Sequence, residues 1–258
     1  MSNKKINKIK IKILEVAYRA QEGHLGSSFS ILDILFVLYN SILNVSPCNL
    51  KSDDRDYFIL SKGHASLGHA AILENKGFIT DEQLRSYCEY DSILGGHLDR
   101  KKVPGVEAST GSLGHGISIA IGIALSSKIK GISNKVYTIV GDGEINEGTF
   151  WESLLLGSNH KLDNLCCIID FNRSNDRALK IDPLEAKITA FGWDVSVIDG
   201  HNHSEIIDSL SHFKPGQPKA VIASTIKGYG IKKMENNHAW HHRSPSHEEL
   251  QEMIRDLS

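Results

Sequence analysis

The chain has 258 residues, 40% hydrophobic and 23% charged, enough to build one sizeable globular unit. Its formal net charge of −2 excludes an electrostatic case for nucleic acid or an anionic membrane surface. The lysine-rich start, Met1 to Lys12, lacks the apolar run of a signal peptide, and no stretch reaches the length of a membrane span, so a cytoplasmic protein is expected.

In chain order, residues 5–22 place Ile6, Ile9, Ile13, Leu14, Val16 and Ala17 at helical spacing, and Ser30 to Leu43 reads as a second, more apolar helix. Tyr57 to Leu60 reads as the first strand, with a helix starting near Ala65. Thr80 is placed to cap a helix running to Tyr87, with Asp81 and Glu82 in its first turn. Gly111 to Gly116 leads into a small-residue helix over 117–130. The apolar runs 136–140 and 165–169 read as strands separated by a helix, which predicts a βαβ unit with two parallel, buried strands. Trp193 to Ile198 and Lys219 to Ser224 complete the strands, and Ser246 to Leu257 reads as a C-terminal helix. This alternation predicts an α/β fold, a doubly wound, mostly parallel sheet flanked by helices, over a single domain spanning 1–258. Cys48, Cys88, Cys166 and Cys167 show no zinc or disulfide spacing, and the adjacent pair in a strand must point to opposite faces.

The chemistry begins with Gly141-Asp142-Gly143-Glu144 and with Asn172, each just past a predicted strand. Parallel neighbours present their carboxyl ends at one edge, where open α/β folds bind ligands. A carboxylate and a carboxamide oxygen arriving there beside glycines suit Mg²⁺ holding a phosphate. Histidines recur beside glycine in loops: Gly23-His24, Gly63-His64, Gly96-His97 and Gly114-His115-Gly116, with Trp240-His241-His242-Arg243 near the end. None has zinc-ligand spacing, so these imidazoles are read as phosphate and substrate contacts that can also shuttle protons.

Together the segments resemble the N-terminal, diphosphate-binding domain of transketolases. The motifs are G-H-L-G-S-S-F-S (23–30), D-R-D-Y-F-I-L-S-K-G-H-A (54–65), G-G-H-L-D (95–99) and P-G-V-E-A-S-T-G-S-L-G-H-G (104–116). They continue with G-D-G-E-I-N-E-G-T-F-W-E (141–152), F-G-W-D-V (191–195), S-T-I-K-G-Y-G-I (224–231) and M-E-N-N-H-A-W-H-H-R (234–243). The resemblance implies a thiamine diphosphate-binding fold, with Mg²⁺ (or Ca²⁺ or Mn²⁺ in its place) on Asp142, Asn172 and the main-chain oxygen of Ser174. It implies cofactor contacts from His64, Gly141, Gly143, Glu144, Asn172 and His241, and from Gly111, Ser112 and Leu113 along the thiamine rings. His24, His97 and His241 become the catalytic histidines at the substrate, and Glu147 an acid at a subunit interface or, equally, a helix-start acid favoured by the dipole. The implied reaction moves a two-carbon ketol unit from a ketose, free or phosphorylated, to an aldose acceptor.

A full transketolase continues into a pyrimidine-binding domain, which supplies an activating glutamate, and into a third domain. This sequence ends after the first, so the expectation is the N-terminal subunit of a split transketolase. It would be active only with a partner chain carrying the missing parts, in a heterotetramer of two copies of each. Two departures stand out: the segment 173–184 is shorter than the family's and lacks its Asp-Gly turn, and His242-Arg243 replaces the usual Gly-Lys. The arginine is open to an acidic group of the substrate or of the partner. The alternatives are the alpha subunit of a 2-oxo acid dehydrogenase, which shares the G-D-G…N spacing, and a non-catalytic regulatory module on the same fold.

Overall fold

Five strands, β1 (Tyr57–Leu60), β2 (Val136–Gly141), β3 (Leu165–Phe171), β4 (Asp194–Asp199) and β5 (Lys219–Ser224), form one parallel sheet in the order β1-β2-β3-β5-β4. This is the arrangement in the computed structural model, which describes residues 2–176 and 178–257. Every residue of β2 and β3 is buried, which is why their sequences run apolar without alternation. The pleat still divides them. Tyr137, Ile139, Cys166 and Ile168 face one core, while Val136, Val140, Leu165, Cys167 and Ile169 face the other. The two adjacent cysteines thus point to opposite faces, as their spacing requires.

The first face is covered by α1 (Ser2–Ala20), α2 (Leu25–Ser30), α3 (Leu32–Val37), α4 (Ser66–Asn75), α9 (His203–Ser211) and α10 (His247–Leu257). The second is covered by α6 (His115–Lys130), α7 (Gly148–Asn159) and α8 (Leu184–Ala190). Short α5 (Asp81–Arg85) starts with the expected cap: Thr80 Oγ1 accepts from the Gln83 amide while Gln83 accepts from the Thr80 amide. The helix expected over 30–43 is corrected. It begins earlier, at Leu25, is broken at Ile31 (φ −108°, ψ 2°), and ends in a π turn over Leu38–Ile42.

Register brings the functional segments together. Leu60 pairs with Ile139, Gly141 with Asp170 and Phe171 with Ser224. The residues that follow these strands, Ser61-Lys62, Asp142, Asn172 and Thr225, therefore emerge side by side at one sheet edge.

Candidate cofactor and substrate site

Asp142 is buried and accepts hydrogen bonds from the Gly143 amide (2.8 Å), the Asn175 amide (3.4 Å) and Ser174 Oγ (3.3 Å). Burial, and then the Asp170 charge, raises its pKa, and no described side chain forms a salt bridge with it. Such a carboxylate is an anion short of a cation. Asn172 beside it is oriented by Asp170: its Nδ2 donates to Asp170 Oδ2 (3.0 Å), which leaves Oδ1 towards the Ser174 amide at 3.1 Å. Ser174 thus stands between the two expected metal ligands.

Asp170 is the hub beneath them. It is fully buried and takes hydrogen bonds from Ser30, Lys62, Thr225 and Asn172. Burial alone would raise its pKa, yet the Lys62 ammonium and these donors hold it below the usual carboxylate range. Lys62 and Asp170 make a buried ion pair between the ends of β1 and β3. A second buried ammonium, Lys227, forms no salt bridge among the described residues. Its pKa is lowered, chiefly by burial and then by Lys62, and it donates to His241 Nδ1 at 3.1 Å. That bond makes Nδ1 the acceptor and leaves the proton of a neutral His241 on Nε2.

Three of the expected histidines crowd above this floor. The His24 ring lies 5.3 Å from His64 and 5.7 Å from His241, centroid to centroid. Burial pushes the pKa of His64 down to about 2 and that of His24 to about 4, and it lowers that of His241, so all three are neutral at pH 7. His97 stands at the rim, where a Cβ on Gly111 would lie 3.1 Å from its ring. His115 does not join them: its Nδ1 is taken up locally, 3.2 Å from Ser112 Oγ and 3.0 Å from Leu113 O.

The loop 111–114 is fixed from below. Glu144 is buried, and its carboxylate accepts from Ser61 Oγ, from the Gly114 amide (2.9 Å) and from the Gly141 amide (3.0 Å). Its oxygens are therefore spent on tying β1, β2 and the loop together. Gly114 has a positive φ of 80°, and a Cβ there would lie 2.7 Å from Glu147 Cβ, so only glycine fits. Glu147 itself is exposed at the N-cap of α7 without a side-chain capping bond. A cleft of about 400 Å³ opens beside Asp142 and Asn172, lined by Asn172, Ser174, Thr225, Lys227 and Asn237 among others.

Arg243 has an internal partner: its guanidinium pairs with Glu249 at 2.7–2.8 Å and lies over Trp240. Within the chain, then, the acid that Arg243 meets is Glu249, beside the substrate and partner acids that the sequence leaves open. Sequence reading missed Asp170, Lys62 and Lys227 as parts of the site. The two lysines lie inside quoted motifs, S-K-G-H and I-K-G-Y, where a buried lysine beside glycine was the available signal.

Residues 1–257 match the family model "Transketolase, thiamine diphosphate binding domain". The chain belongs to the transketolase family. It is 39% identical over 261 residues to one of the subunits of an apulose-4-phosphate transketolase from Actinobacillus succinogenes, covering 98% of this chain and 95% of that protein. It is 34% identical to a 6-deoxy-6-sulfo-D-fructose transketolase subunit of Clostridium sp., covering 97% of this chain and 94% of the relative. The transketolase structure from Campylobacter jejuni superposes with a TM-score of 0.92 at 28% identity, over 99% of this chain and 42% of that one. Of the enzyme classes that the G-D-G…N spacing left open, these matches select transketolase.

Proposed function

We propose that this chain is the diphosphate-binding subunit of a split transketolase, moving a two-carbon ketol unit from a ketose donor to an aldose acceptor. The observation that carries this reading is one edge of the sheet. Asp142, Asn172 and Ser174 converge there beside the ammonium of Lys227, which has no salt bridge among the described residues, under a group of neutral imidazoles. The residues fit a divalent cation and a diphosphate: a buried carboxylate short of a cation, an amide oxygen held outward by Asp170, and a buried ammonium short of an anion. Mg²⁺ would be held by Asp142, Asn172 and Ser174, and the diphosphate by Lys227, His64 and the backbone around Gly143. Bound thiamine diphosphate supplies an electron sink for carbon–carbon cleavage.

The chain's own residues do the rest. His241, with its proton placed on Nε2 by Lys227, can donate a hydrogen bond to cofactor or sugar oxygen. Neutral His24 can accept a proton from a substrate hydroxyl or return one, and His97 reaches the same space from the rim. Glu144 holds the 111–114 loop where the thiamine rings would lie. The pyrimidine-binding domain and its activating glutamate are assigned to a partner chain, in a heterotetramer working in the cytoplasm; among the described residues no helix is long and apolar enough to cross a membrane. The relatives' names support a ketose carrying a phosphate or sulfonate as donor.

The test is co-expression with a C-terminal transketolase chain, followed by ketol transfer from xylulose 5-phosphate to ribose 5-phosphate with thiamine diphosphate and Mg²⁺. Activity in the pair, absent from either chain and lost in Asp142→Ala, is the expected result. Substantial turnover by the pure isolated chain would overturn the split arrangement.

A further inference from the structure

Glu22, His24 and His242 meet at the mouth of the cleft, and one ligand atom from each lies within 4.8 Å of the others. Glu22 and His24 flank Gly23 in the turn after α1, while His242 follows the 3₁₀ turn His238–Trp240. The fold thus brings two distant segments together. His242 Nε2 bonds Glu22 Oε1, which also accepts from the Gly23 amide at 3.1 Å. The His24 and His242 rings are 4.4 Å apart, and the His24 nitrogens have no hydrogen-bond partner among the described residues. A half-buried imidazole with both nitrogens unused, next to an imidazole already turned by a carboxylate, is a ligand set more than a packing contact.

We infer that Glu22, His24 and His242 form a site for one borderline divalent cation of the zinc class, separate from the hard-cation site at Asp142. Two imidazole nitrogens and one carboxylate oxygen suit zinc rather than magnesium, and three protein ligands leave a fourth position for water. Zinc–nitrogen bonds of about 2.0–2.1 Å require the ligand atoms to close in by small side-chain rotations, which the exposure of Glu22 and His242 permits. Burial keeps His24 in the neutral, ligating form at pH 7, while the Glu22 carboxylate beside it favours a cation. Binding would break the His242–Glu22 hydrogen bond and leave the imidazole proton on Nδ1, so that Nε2 and the carboxylate both turn to the cation. Resting on the reading of His24 as a substrate contact, occupancy also withdraws that imidazole from the sugar and inhibits transfer.

The experiment titrates the full chain, in Mg²⁺-containing buffer, with Co²⁺ and follows the visible d–d band of four-coordinate cobalt. The expected result is one equivalent of band, displaced by Zn²⁺, weakened by at least about tenfold in His242→Ala and in Glu22→Gln, and unchanged in Asp142→Ala. A band absent, or indifferent to both of the first two substitutions, overturns the site. Zn²⁺ should also inhibit the paired enzyme, and His242→Ala should relieve it. Binding with no inhibition would uphold the site and remove His24 from the substrate, which separates this inference from the reading of function.

Discussion

At the scale of single residues, the site depends on charges that balance only in company. Asp170→Asn strips Lys62 of its counter-ion in a buried setting and frees the Asn172 amide to turn. The expected loss is about 3–5 kcal/mol in urea unfolding, most of it recovered in the double variant with Lys62→Met. If the double variant is as unstable as the single one, the uncompensated lysine is not the cause. Lys227 is the opposite case, because it forms no salt bridge among the described residues. Lys227→Met should leave the unfolding midpoint nearly unchanged while weakening thiamine diphosphate by about 1.5–3 kcal/mol, roughly ten- to a hundredfold, in calorimetric titration. Equal cofactor affinity in the variant would remove Lys227 from the phosphate site.

At the scale of elements, α4 carries a pH dependence of its own. His69 is buried, its Nε2 shares a hydrogen bond with Tyr39 Oη at 2.8 Å, and burial pushes its pKa down to about 3. The unfolded chain binds this proton near pH 6.5 and the folded chain does not, so stability is fully present above that value and falls as pH drops towards the folded pKa. Between about pH 6 and 4 this one group contributes a slope of about 1.4 kcal/mol per pH unit. His69→Gln should be less stable at pH 7 but show a flatter acid limb in urea unfolding; an unchanged slope would contradict the assignment. In α6, Gly116 lies against the end of β1, where a Cβ would stand 2.6 Å from Ser61 Cα, so Gly116→Ala should cost about 1–3 kcal/mol by overpacking. Thermal unfolding at equal pH measures it, and a neutral substitution would mean the helix can shift. The strands were legible because each is a short apolar run, and β2 and β3 needed only their length and flanking Gly-Asp and Asp-Phe-Asn signals. Helices α8 and α9 were not legible: they are seven and nine residues long with mixed polarity, and α9 depends on its Asn202 cap. The break at Ile31 carries no Gly or Pro to announce it. Asp142 and Asn172 stood out through spacing, but Asp170 did not, because a carboxylate inside a strand reveals its role only when Lys62, Ser30 and Thr225 are seen around it.

At the scale of the whole molecule, the second layer is the one left incomplete. Ile119 and Ile129 on α6 and Leu155 and Leu156 on α7 are 39%, 78%, 59% and 50% exposed, on two helices that pack together. Apolar side chains gathered on neighbouring helices mark a surface that is covered in an assembly. The proposed split arrangement therefore predicts that this face meets the C-terminal chain or a second copy within the proposed heterotetramer. Leu155→Asp tests it, because a half-exposed leucine contributes little to the isolated fold but an aspartate buried at an interface is costly. The isolated variant should unfold within about 0.5 kcal/mol of the parent chain. With the partner titrated in, the concentration giving half-maximal ketol transfer should rise roughly tenfold or more, while the rate at saturating partner stays close to that of the parent pair. An unchanged titration would place the interface elsewhere. A lower saturating rate at unchanged affinity would instead tie α7, through Gly114 and Glu147, to the 111–114 loop proposed to hold the thiamine rings.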